Sequence, residues 1–122
     1  MAARTAKSKG IRRSDCPIAN VLDVVGDKWS FLVIRDLRLG KRTYGELLDS
    51  REGIPTNILA DRLKRLEESG IIESKLYQER PARHAYTLTK KGEELGEVLL
   101  TMLRWGKRHI KGTRSPDLPM GK

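Results

Sequence analysis

Apolar residues along the chain recur first at helical spacing, then in alternation, then at helical spacing again. Ile18, Val21, Leu22 and Val25 share one helical face behind Asp15-Cys16-Pro17, with Asp15 as the expected N-cap and Gly26 as the stop. A second, more apolar helix is expected from Trp29 to Leu39, capped by Asp27 and carrying Leu32, Val33, Ile34 and Leu37. After Gly40, Thr43-Tyr44-Gly45-Glu46 fits the S/T-x-x-E capping box, so a short helix starts at Thr43 and runs through Leu47 and Leu48 toward Arg51. A fourth helix begins around Pro55, which a first helical turn tolerates, shows the stripe Ile58, Leu59, Leu63 and Leu66, and stops at Gly70. Ile71 to Leu76 then reads as a strand and Gln78 to Arg83 as a turn, after which His84, Tyr86 and Leu88 alternate with Ala85 and Thr87 as a second strand. A long helix from about Lys90 to Ile110 closes the pattern, with Leu95, Val98, Leu99, Met102, Leu103, Trp105 and Ile110 as its apolar positions.

This order predicts a mainly α protein with one small antiparallel β-hairpin (α+β), arranged as a winged helix-turn-helix. The fourth helix is the candidate reading element. Opposite its apolar stripe, 100° per residue places Asn57, Ala60, Asp61, Lys64 and Glu68, with Thr56 at the N-terminal end and Arg65 on the flank. Short polar side chains at the start of such a helix reach base edges in a major groove, and Lys reaches phosphate or guanine. A solvated surface helix would show the same pattern. The formal charge is balanced, Arg62, Lys64 and Arg65 against Asp61, Glu67 and Glu68, so this helix alone supplies little non-specific affinity. Arg80 and Arg83 project from the hairpin turn, where they suit phosphates or a narrow minor groove, although Arg83 could instead brace the turn. Arg42, Thr43 and Tyr44 lie at the start of the preceding short helix, whose N–H groups could accept phosphate; for Thr43 the alternative is a cap and nothing more.

With 122 residues, the chain is expected to form one domain over residues 14–111, between a basic arm at 1–13 and a flexible tail at 112–122. The formal charge of +9 is uneven: +5 in residues 1–13, +2 in 111–122, and +2 in the body between. The high net charge therefore reflects the ends, where a basic arm either follows DNA or serves as a solubilising tail. No apolar run of membrane length and no signal peptide pattern is present, which gives the expectation of a cytoplasmic protein without a membrane partner. His84 and His109 stand far apart with no partner cysteines, so no metal and no cofactor is expected. No Gly-rich phosphate loop and no nucleophile beside a base is recognisable, so the chain does not read as an enzyme.

Several short stretches together resemble one family. Cys16-Pro17, Gly26-Asp27-Lys28-Trp29, Arg42-Thr43-Tyr44-Gly45-Glu46-Leu47, Ile54 through Leu66-Glu67, Ser69-Gly70-Ile71-Ile72, Pro81 with Arg83, Tyr86-Thr87-Leu88-Thr89 and Trp105-Gly106 are similar to the HxlR family of bacterial transcriptional regulators, relatives of MarR-type proteins. The resemblance spans about residues 15–110. It implies a homodimeric winged helix that binds double-stranded DNA, with terminal helices forming the dimer, and repression or activation at nearby promoters. Two departures are Pro55, where the family often has a polar cap, and Asp61 on the reading face. Asp61 could accept from cytosine N4, or could pair with Lys64 or Arg65 and order them.

The long last helix carries more apolar surface than one small domain covers, which points to a two-fold dimer. The expected interface is Ile18, Val21 and Leu22 with Leu95, Val98, Leu99, Met102 and Trp105. Paired heads would match palindromic half-sites about 10 base pairs apart. In some members of the family, the cysteine matching Cys16 senses electrophiles or oxidants. Cys16 at a helix start, near Arg12 and Arg13, would favour the thiolate; the alternative is a small buried packing residue. Two other readings stay open. One is a winged-helix protein-interaction module that does not read DNA. The other is a MarR-like receptor with a small-molecule pocket lined by Trp29, Tyr44, Tyr86 and Trp105.

Overall fold

The computed structural model describes residues 12–114. Five helices and one hairpin follow in the order α1 (Pro17–Val25), α2 (Ser30–Arg38), α3 (Tyr44–Leu48), α4 (Thr56–Glu68), β1 (Ile72–Glu79), β2 (Ala82–Leu88) and α5 (Lys90–His109). This is the expected mainly α winged helix-turn-helix with a single antiparallel hairpin.

Local chemistry sets most of the boundaries. Pro17 occupies the first turn of α1, but the N-cap is Cys16 in an extended conformation, not Asp15. Ser14 Oγ accepts the Cys16 N–H at 3.1 Å, which holds the chain in the turn that Asp15 would otherwise have organised. Asp27 behaves as expected in kind: its carboxylate accepts from Trp29 N at 3.0 Å and Ser30 N at 3.1 Å. Regular helix begins one residue later than expected, at Ser30. At α3 both halves of the capping box are present, Thr43 Oγ1 accepting from Glu46 N and the Glu46 carboxylate accepting from Thr43 N. That helix is only five residues long and stops at Leu48, short of Arg51. Pro55 sits at the N-cap of α4, just outside the first turn. Gly70 ends α4 at φ +76°, a conformation that costs glycine little and other residues more.

The main core is one cluster drawn from α1 to α4, β1 and the turns on either side of α4, with Tyr86 and Leu88 of β2 half-buried against it. Val25, Val33, Ile34, Leu37, Leu47, Ile54, Leu59, Leu63, Leu66, Ile71 and Ile72 are buried together. The α4 stripe is as expected, except that Ile58 is only half-buried. The α5 helix adds a second small cluster in which Leu99 and Leu100 pack with Phe31 and Leu103. The α5 helix runs antiparallel to α2: Arg38, at the end of α2, donates to Glu93 O at 3.4 Å, whereas Phe31, near its start, meets Leu99 and Leu100. Gly92 makes the entry of α5 possible, because a Cβ there would overlap the carbonyl oxygen of Ile71. Thr89 fastens the same corner, accepting from Gly92 N and donating to Gly70 O at 2.6 Å.

The hairpin extends further than the alternation indicates. Both strands continue to a tight tip at Arg80-Pro81, whose peptide bond is cis. Gln78 braces that tip by donating to Pro81 O at 3.2 Å, a role the sequence reading left open for Arg83. Between Leu76 and Gln78 the register shifts, so Tyr77 faces no single partner on β2.

Candidate nucleic-acid interface

The α4 helix buries Leu59, Leu63 and Leu66 and leaves Thr56, Asn57, Ala60, Asp61, Lys64, Arg65 and Glu68 exposed. The face expected to read bases is therefore turned to solvent as one strip. Its first residue is held from the side: Tyr44 Oη donates to the Thr56 carbonyl at 2.9 Å, tying α3 to the start of α4. Asp61 contacts Arg62 and lies 3.6 Å from Arg65 one turn on. Of the two pairings open in the sequence, that with Arg65 is formed and that with Lys64 is not, while Arg62 is a partner the sequence reading did not name. Arg62 is turned inward, with its Nε 2.7 Å from Asp27 Oδ2. It anchors the middle of α4 to the start of α2 and is not part of the exposed strip.

Asp27 also meets the Ser30 hydroxyl. Partial burial pushes its carboxyl upward, but the Ser30 and Arg62 hydrogen bonds and the Trp29 N–H outweigh burial and bring it down to about 2. A second network braces the turn before α4. Arg35 grips Glu52 with two hydrogen bonds, at 2.7 and 2.9 Å, and lies 2.9 Å from the buried carboxylate of Asp36. The Arg35 bonds are the largest influence on Glu52, which is held at about 2.

At the start of α3 the sequence expectation needs a correction. The backbone N–H groups of Arg42 and Thr43 both donate to Glu46 Oε1, at 2.7 and 3.1 Å, so they are not free for phosphate. The Arg42 guanidinium bends back onto the carbonyls of Leu37 and Lys41, each at 2.8 Å. Arg42 remains exposed, but part of its hydrogen-bonding capacity closes the end of α2. Arg80 and Arg83 are exposed on the wing, and neither makes an ion pair among the described residues. Strand β2 is tied to the head at its middle, where Tyr86 N donates to Arg42 O at 2.7 Å and Thr43 pairs with Ala85. The wing and the exposed strip of α4 thus belong to one packed unit.

A sequence model of the HxlR-like helix-turn-helix family matches residues 24–114. The chain belongs to that family. A helix-turn-helix transcriptional regulator from Synechocystis is 45% identical over 91 residues, which cover 75% of this chain and 67% of the relative. The chain spans about two thirds of the length of curated relatives that it matches. Among solved structures, the reduced form of the regulator YodB from Bacillus subtilis superposes with a TM-score of 0.67 at 30% identity, covering 83% of this chain and 100% of that one. The redox regulator HypR in its oxidised form superposes with a TM-score of 0.69, also at 30% identity and over the same shares. This HxlR-type chain is a winged helix-turn-helix DNA-binding regulator. No helix among the described residues is long and apolar enough to cross a membrane.

The remaining site expectations for this HxlR-type regulator lie on the opposite elements. Ile18, Val21 and Leu22 of α1 and Val98, Met102 and Trp105 of α5 are all exposed, as an interface with a second copy requires. Leu99 is not available to such an interface, because it is buried against Phe31 and Leu103 of its own chain. Leu95 is likewise half-buried on the main core. Leu100, which the sequence reading passed over, shares the inner face with Leu99. Cys16 is exposed rather than buried. The backbone N–H groups of Ala19 and Ile18 lower its thiol pKa. Arg13 does not take part, since it pairs with Asp23 at 2.9 Å. Of the other charges of the arm and tail, Arg4, Lys7, Lys9, Asp117 and Lys122 lie outside the described residues.

The four aromatics expected to share a pocket do not meet. Trp29 packs on the core beneath Lys28, and Trp105 stands exposed on α5 against His109, with ring centroids 4.8 Å apart. Tyr44 and Tyr86 do share a cleft, between α3 and the wing.

Proposed function

We propose that this HxlR-type regulator binds palindromic operators as a homodimer, reading bases with Thr56, Asn57, Asp61, Lys64 and Arg65 and holding phosphates with the side chains of Arg42, Arg80 and Arg83. The observation that carries the reading is the division of α4: Leu59, Leu63 and Leu66 are inside, Asn57 and Lys64 outside, and the wing arginines, without an ion pair among the described residues, stand on the same packed unit. An α-helix with that division fits a major groove, and arginines on a wing fit the flanking backbone. The dimer is supported by the exposed apolar residues of α1 and α5, which one domain leaves uncovered. The test is selection of fragmented genomic DNA at about 150 mM salt, a level that suppresses binding through phosphates alone. Recovery of a two-fold motif near promoters supports the reading. No enrichment from reduced protein that sediments as a dimer overturns it and favours a protein-interaction module.

A redox input through Cys16 is supported by its exposure and lowered thiol pKa, and by the resemblance to a redox regulator. A Cys16→Ser chain is expected to keep its DNA affinity and to lose its response to diamide or quinones. An unchanged response removes Cys16 as the sensor.

A further inference from the structure

We infer that His84 of the wing is a further contact to a DNA backbone phosphate and makes it in its protonated form, so that DNA binding by this chain takes up protons. Side chains alternate along β2, so His84, Tyr86 and Leu88 share one face of the hairpin. Tyr86 and Leu88 are half-buried against the core. His84 is the next position of that face toward the tip, where the face has outrun the core, and it is exposed. It lines the cleft between α3 and the wing, beside Arg83. Its imidazole makes no ion pair among the described residues.

The groups that face His84 leave room for an anion. From α3 the cleft receives Thr43 and Tyr44, from β1 Tyr77, and from β2 Arg83 and Tyr86, and no carboxylate lines it. The one acid of α3, Glu46, is turned onto the N–H groups of Arg42 and Thr43. On β1 the residue opposite His84 is Leu76, and Glu79 stands at the tip opposite Ala82. Glu73 and Lys75 alternate with Ser74 and Leu76 and belong to the other face of the strand. A phosphate entering this space therefore meets Arg83 and His84 and no like charge.

Histidine is the side chain whose charge changes between about pH 5 and 8. A nearby phosphate favours the charged imidazole, and a charge-assisted hydrogen bond is roughly twice as strong as a neutral one. Proton uptake and DNA binding therefore strengthen one another by the same factor. The His84 contact is present at the acid end of that range and is lost as pH rises through it. Its position suits the task, because Tyr44, across the cleft, donates to the Thr56 carbonyl at the first residue of α4. A phosphate between Tyr44 and His84 flanks the exposed strip of that helix. The inference rests on the reading of the α4–wing face as the DNA-binding face.

The test is fluorescence anisotropy of a labelled mixed-sequence duplex, titrated with the full chain at about pH 6 and about pH 8 in the same low salt. A phosphate contact acts on every sequence, so no operator is needed. Wild type is expected to bind about fivefold more tightly per head at the lower pH, with a log–log salt slope steeper by about 0.9 per head. His84→Gln is expected to abolish both differences. His109→Gln, which alters the one other histidine of the chain, on α5, is expected to keep them. His84→Lys, a cation at both pH values, is expected to show at about pH 8 the steep salt slope that wild type shows only at about pH 6. Melting temperatures should stay unchanged, because position 84 is exposed. Wild-type affinity that ignores pH overturns the contact. A pH dependence that survives in His84→Gln overturns it too, by placing the proton on another group. In both cases the duplex is bound and the DNA reading stands. A duplex left unbound at both pH values overturns that reading together with this one.

Discussion

Replacing Asp27 with alanine is expected to be among the most costly single changes outside the apolar core. Two separate losses follow from the geometry. The first is a cap: Trp29 N and Ser30 N lose their shared acceptor, and Ser30 is only 2% exposed, so its N–H has little water to turn to. Loss of such a cap costs about 1 kcal/mol. The second is the charge left on Arg62, whose side chain is only 15% exposed. Orphaning one partner of a fully buried pair costs about 3–5 kcal/mol. The cost here is smaller, about 1–2 kcal/mol, because Asp27 retains solvent contact and Arg62 keeps Asp61. The expected total is about 2–3 kcal/mol, which for a chain of this size lowers Tm by about 10 °C. Asp27→Asn keeps an acceptor for the cap and loses only the charge, so it should fall between wild type and Asp27→Ala. Urea titrations of the three proteins at neutral pH measure this directly. The pH dependence has a definite sign. A carboxyl held at about 2, below its ordinary 3.8, adds stability that is complete above the ordinary value and is lost as pH falls through it toward 2. The gap between wild type and Asp27→Asn should therefore close on acidification. A neutral-pH loss in Asp27→Ala below about 0.5 kcal/mol, or an Asn variant as unstable as the Ala variant, would refute the double role given to Asp27.

Four further outcomes are expected. Arg35→Leu should cost about 3 kcal/mol in urea titration, because it strands the buried Asp36 carboxylate, whereas Glu52→Gln should cost about 1 kcal/mol since Glu52 is partly in solvent. Gly92→Ala should destabilise by about 2 kcal/mol despite its helix propensity, because the new Cβ meets the Ile71 backbone; Gly96→Ala should be milder, since its neighbour is the movable Arg38 side chain, and thermal melts separate the two. Trp105→Lys should shift sedimentation from dimer to monomer, because Trp105 is exposed in the single chain and its burial would come only from a partner. In DNA titrations, Asn57→Ala should lose about 1–3 kcal/mol of discrimination between bases, while Arg83→Ala should weaken all sequences alike and lower the log–log salt slope by about 0.9.

Contacts between near neighbours in the chain were legible from residue pattern alone. The capping box at Thr43 and Glu46, the stop at Gly70, the α4 stripe and the hairpin all depend on residues within a few positions of each other, where spacing carries the geometry. What could not be read depends on partners distant in the chain or on competition between local donors. Arg62 looks like one more charge on a surface helix until Asp27, 35 residues earlier, is seen beside it. The Glu46 carboxylate was legible as a capping partner, but not that it also takes the Arg42 N–H, which removes the expected phosphate donors. On α5 the apolar positions wrap round more than one face, so their pattern did not tell Leu99 and Leu100, which face the domain, from Val98, Met102 and Trp105, which face outward. Tyr77 gave no signal because a strand bulge has no mark in the alternation.

The ion pairs of α4 bear on how such a head divides its labour. Of its three cations, Arg62 is committed to Asp27 and Asp61, and Arg65 lies beside Asp61, while Lys64 has no ion-pair partner among the described residues. A helix with one uncommitted cation neutralises few phosphates, so it adds little affinity that is indifferent to sequence. The proposed arginine contacts whose side chains make neither an ion pair nor a hydrogen bond among the described residues are instead on the wing, at Arg80 and Arg83, on a hairpin tied to the head through Tyr86 and Ala85. On the proposed reading, discrimination and attraction reside on different elements. The consequence is mechanical: a change that moves the wing relative to α4 alters affinity without altering which bases are preferred.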